Sequence, residues 1–134
     1  MNLDYVVLVV DDLDAALSFY VGVLGFALGH RSGPYAQLET GSTRLGLYER
    51  GAMAETLGRR LVPPSPDAPG FELGCKVDDC DAAYAQLVAS GGEPVTEPTD
   101  RAWGQRTAYV RDPDGHLVEL AQDLGSGGRQ PEAG

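Results

Sequence analysis

The side chains able to hold a metal, pass electrons or attack a substrate are few in these 134 residues. The histidines are His30 and His116, and the cysteines are Cys75 and Cys80. The cysteine spacing matches neither a CxxC redox pair nor the paired ligands of a zinc site. Both are read as small packing residues, one on a strand and one on a helix, and as reduced thiols. His116 follows the turn-forming run Asp112-Pro113-Asp114-Gly115 and is expected at the surface. His30 lies near the end of a strand, where it either lines a cavity or faces solvent.

Carboxylates are plentiful by contrast. Asp and Glu number 20 against 10 Lys and Arg, a formal net charge of −10. Nucleic-acid binding needs a basic surface that releases counterions from phosphates, and an anionic membrane asks for the same sign. The charge therefore argues against both partners and favours a cationic or neutral small molecule. The longest apolar run, Tyr5 to Val10, is far short of the roughly 20 residues of a membrane helix. No basic stretch followed by an apolar one opens the chain, so a soluble cytoplasmic protein is expected. With 43% hydrophobic and 22% charged residues, the composition is that of one globular domain.

The elements that must position these groups come from a repeat. Val10-Asp11-Asp12-Leu13-Asp14-Ala15-Ala16 recurs as Val77-Asp78-Asp79-Cys80-Asp81-Ala82-Ala83. An apolar strand-like run precedes each copy, Tyr5 to Val10 and Phe71 to Val77. A helical pattern follows each: Leu13, Ala16, Leu17, Tyr20 and Leu24 before Gly25, then Cys80, Ala83, Tyr84 and Leu87 before Gly91 and Gly92. The aspartates sit where an N-cap and first turn favour acceptors and negative charge, and glycine suits the far end. Each half then continues as a hairpin, Tyr35–Glu39 into Arg44–Glu49 and Arg106–Val110 into His116–Leu120. A short strand near Phe26–Arg31 and near Glu93–Thr96 completes a β-α-β-β-β module.

The expected fold is therefore α+β: two tandem β-α-β-β-β modules forming cupped mixed sheets, each covered by a helix. The modules span residues 3–50 and 70–123 of a single domain over 1–134. Residues 51–69, with Pro63, Pro64, Pro66 and Pro69, are read as a stiff connecting loop or lid, and 124–134 as a flexible tail.

Paired modules of this kind, the run DDLDAALSFYVGVLG over 11–25, and Trp103-Gly104-Gln105-Arg106 followed by Asp112-Pro113-Asp114-Gly115-His116-Leu117-Val118-Glu119-Leu120 resemble the vicinal oxygen chelate superfamily. That group holds glyoxalase I, extradiol dioxygenases, fosfomycin-resistance enzymes and bleomycin-resistance binding proteins. The resemblance implies cupped sheets whose first and last strands offer metal ligands, usually His and Glu. Carried onto this chain by the repeat, those positions are Tyr5, Gly46, Glu72 and Glu119. Strand alternation places Phe71, Leu73, Cys75 and Val77 towards the helix, and Glu72, Gly74 and Lys76 into the cup. Neither histidine falls on these positions, and Gly46 has no side chain to coordinate with.

The cup thus reads as a metal-free pocket lined by Tyr5, Tyr35, Gln37, Tyr48, Glu72, Trp103 and Glu119, suited to an aromatic or cationic ligand. Trp103 either touches that ligand or covers the sheet edge. This pattern resembles the antibiotic-binding branch, which implies a homodimer that captures a drug without reaction. Lys76 is the sole lysine, thin support for a phosphonate. Two alternatives stay open: Glu72 and Glu119 as acid and base of a metal-free lyase or isomerase, or the same pair holding one divalent metal ion in a lyase or dioxygenase.

Overall fold

Asp12 and Asp79 occupy the positions that the repeat assigns them, and each starts a helix. The Asp12 carboxylate accepts from the Asp14 and Ala15 backbone N–H groups, and the Asp79 carboxylate accepts from that of Ala82. Gly25 and Gly91 have φ of 85° and 104° after the helices, in the left-handed region that glycine adopts without strain. The computed structural model describes residues 1, 3–65, 67 and 69–125. The tail expected over 124–134 lies outside the described residues from 126 onward.

Among the described residues, eight strands and three α-helices follow in chain order. β1 is Tyr5–Val10, α1 Leu13–Leu17, β2 Ala27–Ser32, β3 Tyr35–Glu39, β4 Arg44–Glu49 and α2 Arg50–Leu57. β5 is Glu72–Lys76, α3 Cys80–Ala89, β6 Glu93–Asp100, β7 Gln105–Arg111 and β8 Leu117–Asp123. The strands form two four-stranded mixed sheets of the same topology, β1-β4-β3-β2 and β5-β8-β7-β6. In each, the first and last strands pair in parallel, β1 with β4 and β5 with β8, and the rest pair antiparallel. A parallel pair needs a crossover, which the helix after the first strand begins. The chain divides into two compact units between Pro63 and Pro64.

Alternation along the strands sorts each sheet into an apolar face and an open one. Leu8, Val10, Ala36, Leu38, Leu45 and Leu47 are buried in the first sheet, with Leu13, Ala16, Phe19 and Tyr20 from its helical segment. Ala108, Val110, Val118 and Leu120 are buried in the second, with Cys80 and Leu87 of α3. Each such leucine or valine contributes about 1.5–3 kcal/mol relative to exposure. A further device is common to both modules. The last strand sends one side chain to the first N–H of the module's helix: Glu49 accepts from Leu13 at 3.4 Å, and Gln122 accepts from Cys80 at 2.8 Å.

Three elements differ from the sequence expectation. The connector is not loop throughout, because α2 begins directly at the end of β4. Ala52, Met53, Ala54, Glu55 and Leu57 are good helix formers, Gly58 closes the helix at φ 68°, and the prolines begin only at Pro63. The first helix widens into a π-helical segment over Ser18–Val23, where Phe19 and Tyr20 meet edge to face at 5.0 Å. β6 runs on to Asp100, well past Thr96, with register shifts that accommodate Pro94 and Pro98 on an edge strand.

Candidate functional site

The open face of the first module is aromatic. Register aligns Gln37 with Gly46 and Gly46 with Val7, while Tyr35 lies opposite Tyr48 in the neighbouring row. The Tyr35 ring leans over Gly46. A Cβ at position 46 would stand 2.7 Å from the Tyr35 hydroxyl oxygen and 2.9 Å from a ring carbon. The Tyr35 hydroxyl donates to Oε1 of Gln37 at 3.2 Å, and its ring lies 6.1 Å from Tyr48 and 6.0 Å from His30. Burial raises the Tyr35 pKa, the proximity of Tyr5 adds to this, and Arg44 opposes it. Tyr48 and Thr56 of α2 share a hydrogen bond at 3.2 Å, so α2 helps to hold an open-face ring. Tyr5 is half exposed, and His30 lies on the exposed strand β2.

The open face of the second module is acidic. Glu119 is 4% exposed, faces Gly74 across the parallel pair, and lies opposite Tyr109 across the antiparallel one. Gly74 leaves it room, since a Cβ there would meet Glu119 Oε1 at 3.4 Å. Tyr109 donates to Glu119 Oε2 at 2.9 Å. Glu72, one strand position from Gly74 in the open-face series, is brought beside Glu119. Burial, then the Glu119 charge, then a hydrogen bond to Glu119 raise the Glu72 carboxyl above the ordinary range. Burial and the hydrogen bond to Glu119 push the Tyr109 phenol up to about 12.

The remaining candidates fall elsewhere. Trp103 is 40% exposed and donates from Nε1 to Gln105 Oε1 at 3.0 Å, while Gln105 donates to Asp123 at 3.1 Å. Gln105 pairs with Asp123 and Tyr109 with Glu119, so Trp103 is fixed four residues, roughly 13 Å, along the ladder from Glu119. A mixed-charge hollow of about 250 Å3 lies at that end, lined by Lys76, Val77, Asp78, Gln122 and Asp123. Lys76 is engaged there by both Asp123 oxygens at 2.9 Å.

His116 is not the surface residue that its turn suggested. Its side chain is 9% exposed and pairs through Nδ1 with the fully buried Asp112 at 2.8 Å. The other Asp112 oxygen accepts from the Asp114 and His116 backbone N–H groups, so the pair locks the β7–β8 turn. Burial raises the thiols of both Cys75 and Cys80, which marks them as packing groups rather than nucleophiles.

Tyr109, which donates to Glu119, escaped the sequence reading. The signal that finds Tyr109 is the repeat itself, which sets it at the second-module position matching Gln37.

The residues at the four ligand positions do not fit a transition-metal site. They supply no imidazole, and the space beside Gly46 is filled by the Tyr35 ring. Among the described residues, no group of three or more His, Cys, Asp or Glu side chains is placed to hold a metal ion. Also among them, no helix is long and apolar enough to cross a membrane.

Comparison with known proteins follows the same lines. Residues 2–120 match the family model described as the Glyoxalase/Bleomycin resistance protein/Dioxygenase superfamily. The chain is 33% identical over 128 residues to YraH of Bacillus subtilis, covering 92% of this chain and 100% of that protein. It is 29% identical over 124 residues to virulence protein STM3117 of Salmonella typhimurium, covering 90% and 83%. A glyoxalase/bleomycin resistance protein/dioxygenase from Nocardioides has a similar crystal structure. That match has a TM-score of 0.79 at 28% identity and covers 100% of this chain and 90% of that one.

Proposed function

The chain belongs to the Glyoxalase/Bleomycin resistance protein/Dioxygenase superfamily, and we propose that it is a metal-independent binder of a small aromatic or cationic molecule, of the kind that sequesters an antibiotic. The observation that carries this reading is the Tyr35 ring seated over Gly46. A position at which the resemblance implies a carboxylate ligand instead presents a phenol, with Tyr48 and His30 beside it. Aromatic faces of this kind stack on flat ligands and attract cations. On the second module by itself, the Glu72–Glu119 pair offers an acceptor for a cationic or hydrogen-bond-donating group. Capture would be stoichiometric, with no bond made or broken. The same reading has the protein acting as a homodimer in the cytoplasm, without a nucleic-acid or membrane partner.

The test combines elemental analysis of protein purified without chelator with fluorescence titration against polycyclic aromatic and cationic antibiotics, an anthracycline and bleomycin among them. Saturable quenching by metal-free protein, abolished in Tyr35→Ala, is the expected result. About one equivalent of divalent metal per chain, lost in Glu119→Gln, would overturn the reading.

A second reading is favoured by the carboxyl pair itself. Two carboxyl groups side by side, one with its pKa raised by burial and by the other, are equipped to give and take a proton, as a metal-free isomerase or lyase requires. Glu119→Gln separates the two ideas, because a binder keeps most of its affinity and an acid–base enzyme loses turnover.

A further inference from the structure

Alternation along β4 puts Arg44, Gly46 and Tyr48 on the open face, away from the side on which Leu45 and Leu47 are buried. Register sets Arg44 directly beside Tyr5 of β1. The Tyr35 hydroxyl oxygen lies 2.7 Å from where a Cβ of residue 46 would stand. Two residues of strand cover about 7 Å. The aromatic face of the first module therefore ends, one open-face place from the Tyr35 hydroxyl, at a residue that carries a guanidinium.

That guanidinium is loosely held. Its Nη2 lies 3.5 Å from an Asp4 oxygen, and both side chains are about half exposed. Arg31, Arg50 and Arg106 each have a carboxylate closer, at 2.8, 3.2 and 2.9 Å. Glu39, at the end of β3, turns towards Gly29 of β2, where a Cβ would meet its Oε1 at 3.4 Å. An exposed and long ion pair contributes little, so a better acceptor displaces Asp4 at small cost. A guanidinium fork has five N–H donors, and its geometry matches the two oxygens of a carboxylate.

The chain's net charge of −10 opposes an anion, but the opposition is unevenly spread. Residues 1–63 hold seven of the twenty Asp and Glu and five of the ten Lys and Arg, so most of the negative charge belongs to residues 64–134. Burial and then Tyr5 raise the Tyr35 phenol, and Arg44 lowers it, as a positive charge near that hydroxyl does. On this face the cation is the protein's own.

We infer that the first module takes a planar aromatic acid: its ring covers Tyr35 beside Tyr48, its anionic oxygens replace Asp4 on Arg44, and Arg44 is the residue that selects for the anion. The inference rests on the proposed aromatic binding face and narrows its ligand. A ring bearing a cation would meet Arg44 with like charge, and a neutral ring would leave the fork to Asp4.

The experiment is equilibrium dialysis of the full chain at pH 7 and low salt against three probes with one ring system: 2-naphthoate, 2-naphthamide and 2-naphthylmethylammonium. The naphthoate should bind about tenfold more tightly than the amide, and the ammonium most weakly. Arg44→Gln should remove the preference by weakening the naphthoate alone, and Arg44→Lys should restore only part of it, because the fork is lost. Asp4→Asn, which frees the fork, should strengthen naphthoate binding. Arg44 and Asp4 are exposed, so these variants keep the fold. Equal binding of naphthoate and amide, or naphthoate binding unmoved by Arg44→Gln, would overturn the inference and leave the aromatic face standing. Absence of binding by all three probes, or binding unmoved by Tyr35→Ala, would overturn the aromatic face itself and the inference with it.

Discussion

In the first module a phenol, Tyr35, ends on the Gln37 amide and fills the space beside Gly46. In the second a phenol, Tyr109, ends on the buried Glu119 carboxylate, and the small residue has moved across the strand pair to Gly74. The positions correspond through the repeat: Gly46 matches Glu119, Val7 matches Gly74, Tyr5 matches Glu72, and Gln37 matches Tyr109. Each face balances one large side chain against one glycine, with the pair transposed. The apolar faces show no such divergence. Leu47 and Leu120 hold equivalent buried places, Asp12 and Asp79 cap equivalent helices, and Glu49 and Gln122 reach the same first-turn N–H. Sites diverge where solvent and ligand set the requirement, and repeats persist where packing sets it.

The largest effect tests the shared side. Leu47→Ala and Leu120→Ala should each cost about 2–5 kcal/mol, because both remove a buried leucine from a close-packed face. Urea unfolding should give similar losses for the two. A difference of several-fold would show that the apolar faces are less alike than their burial.

The next effect tests the transposition. Gly46→Glu forces the Tyr35 ring off its seat and should cost about 1–3 kcal/mol, as overpacking does. Gly74→Ala meets only Glu119 Oε1 at ordinary contact distance and should cost far less. Adding Tyr35→Ala to Gly46→Glu should recover part of the loss in a double-mutant cycle. Strict additivity would mean that the ring and the glycine are not coupled.

The smallest effect is a pH dependence confined to the acidic face. Burial and Glu119 raise the folded-state pKa of Glu72, so the folded protein binds more proton there than the unfolded chain. The resulting stability is fully present below the unfolded value of roughly 4.3 and is lost as pH rises through the folded one. The melting temperature of wild type relative to Glu72→Gln should therefore fall across that window. A constant difference would show that Glu72 titrates normally.

Much of this was legible in the chain. The strand phase that sends Glu72 into the cup, the two Asp caps and both hairpins follow from local rules of alternation and capping. α2 was obscured by the prolines that follow it, although the helix formers from Ala52 to Leu57 were there to read. His116 was misplaced because a turn sequence says where the backbone bends and nothing about where a ring on it goes. Its partner Asp112 lies four residues away, yet their pairing depends on how the turn closes under β7 and β8.

The sequence by itself determined the duplicated α+β architecture, because periodicity, caps and turn residues act over a few positions and occur here twice. It also determined what the ligand positions lack, since no folding can give Gly46 a side chain or move a histidine onto Tyr5. Only the tertiary structure decided that Tyr35 covers Gly46, that Glu72 lies beside Glu119, and that Tyr109 donates to Glu119. Those facts turn on cross-strand register and side-chain direction, which bring together groups that local pattern leaves independent.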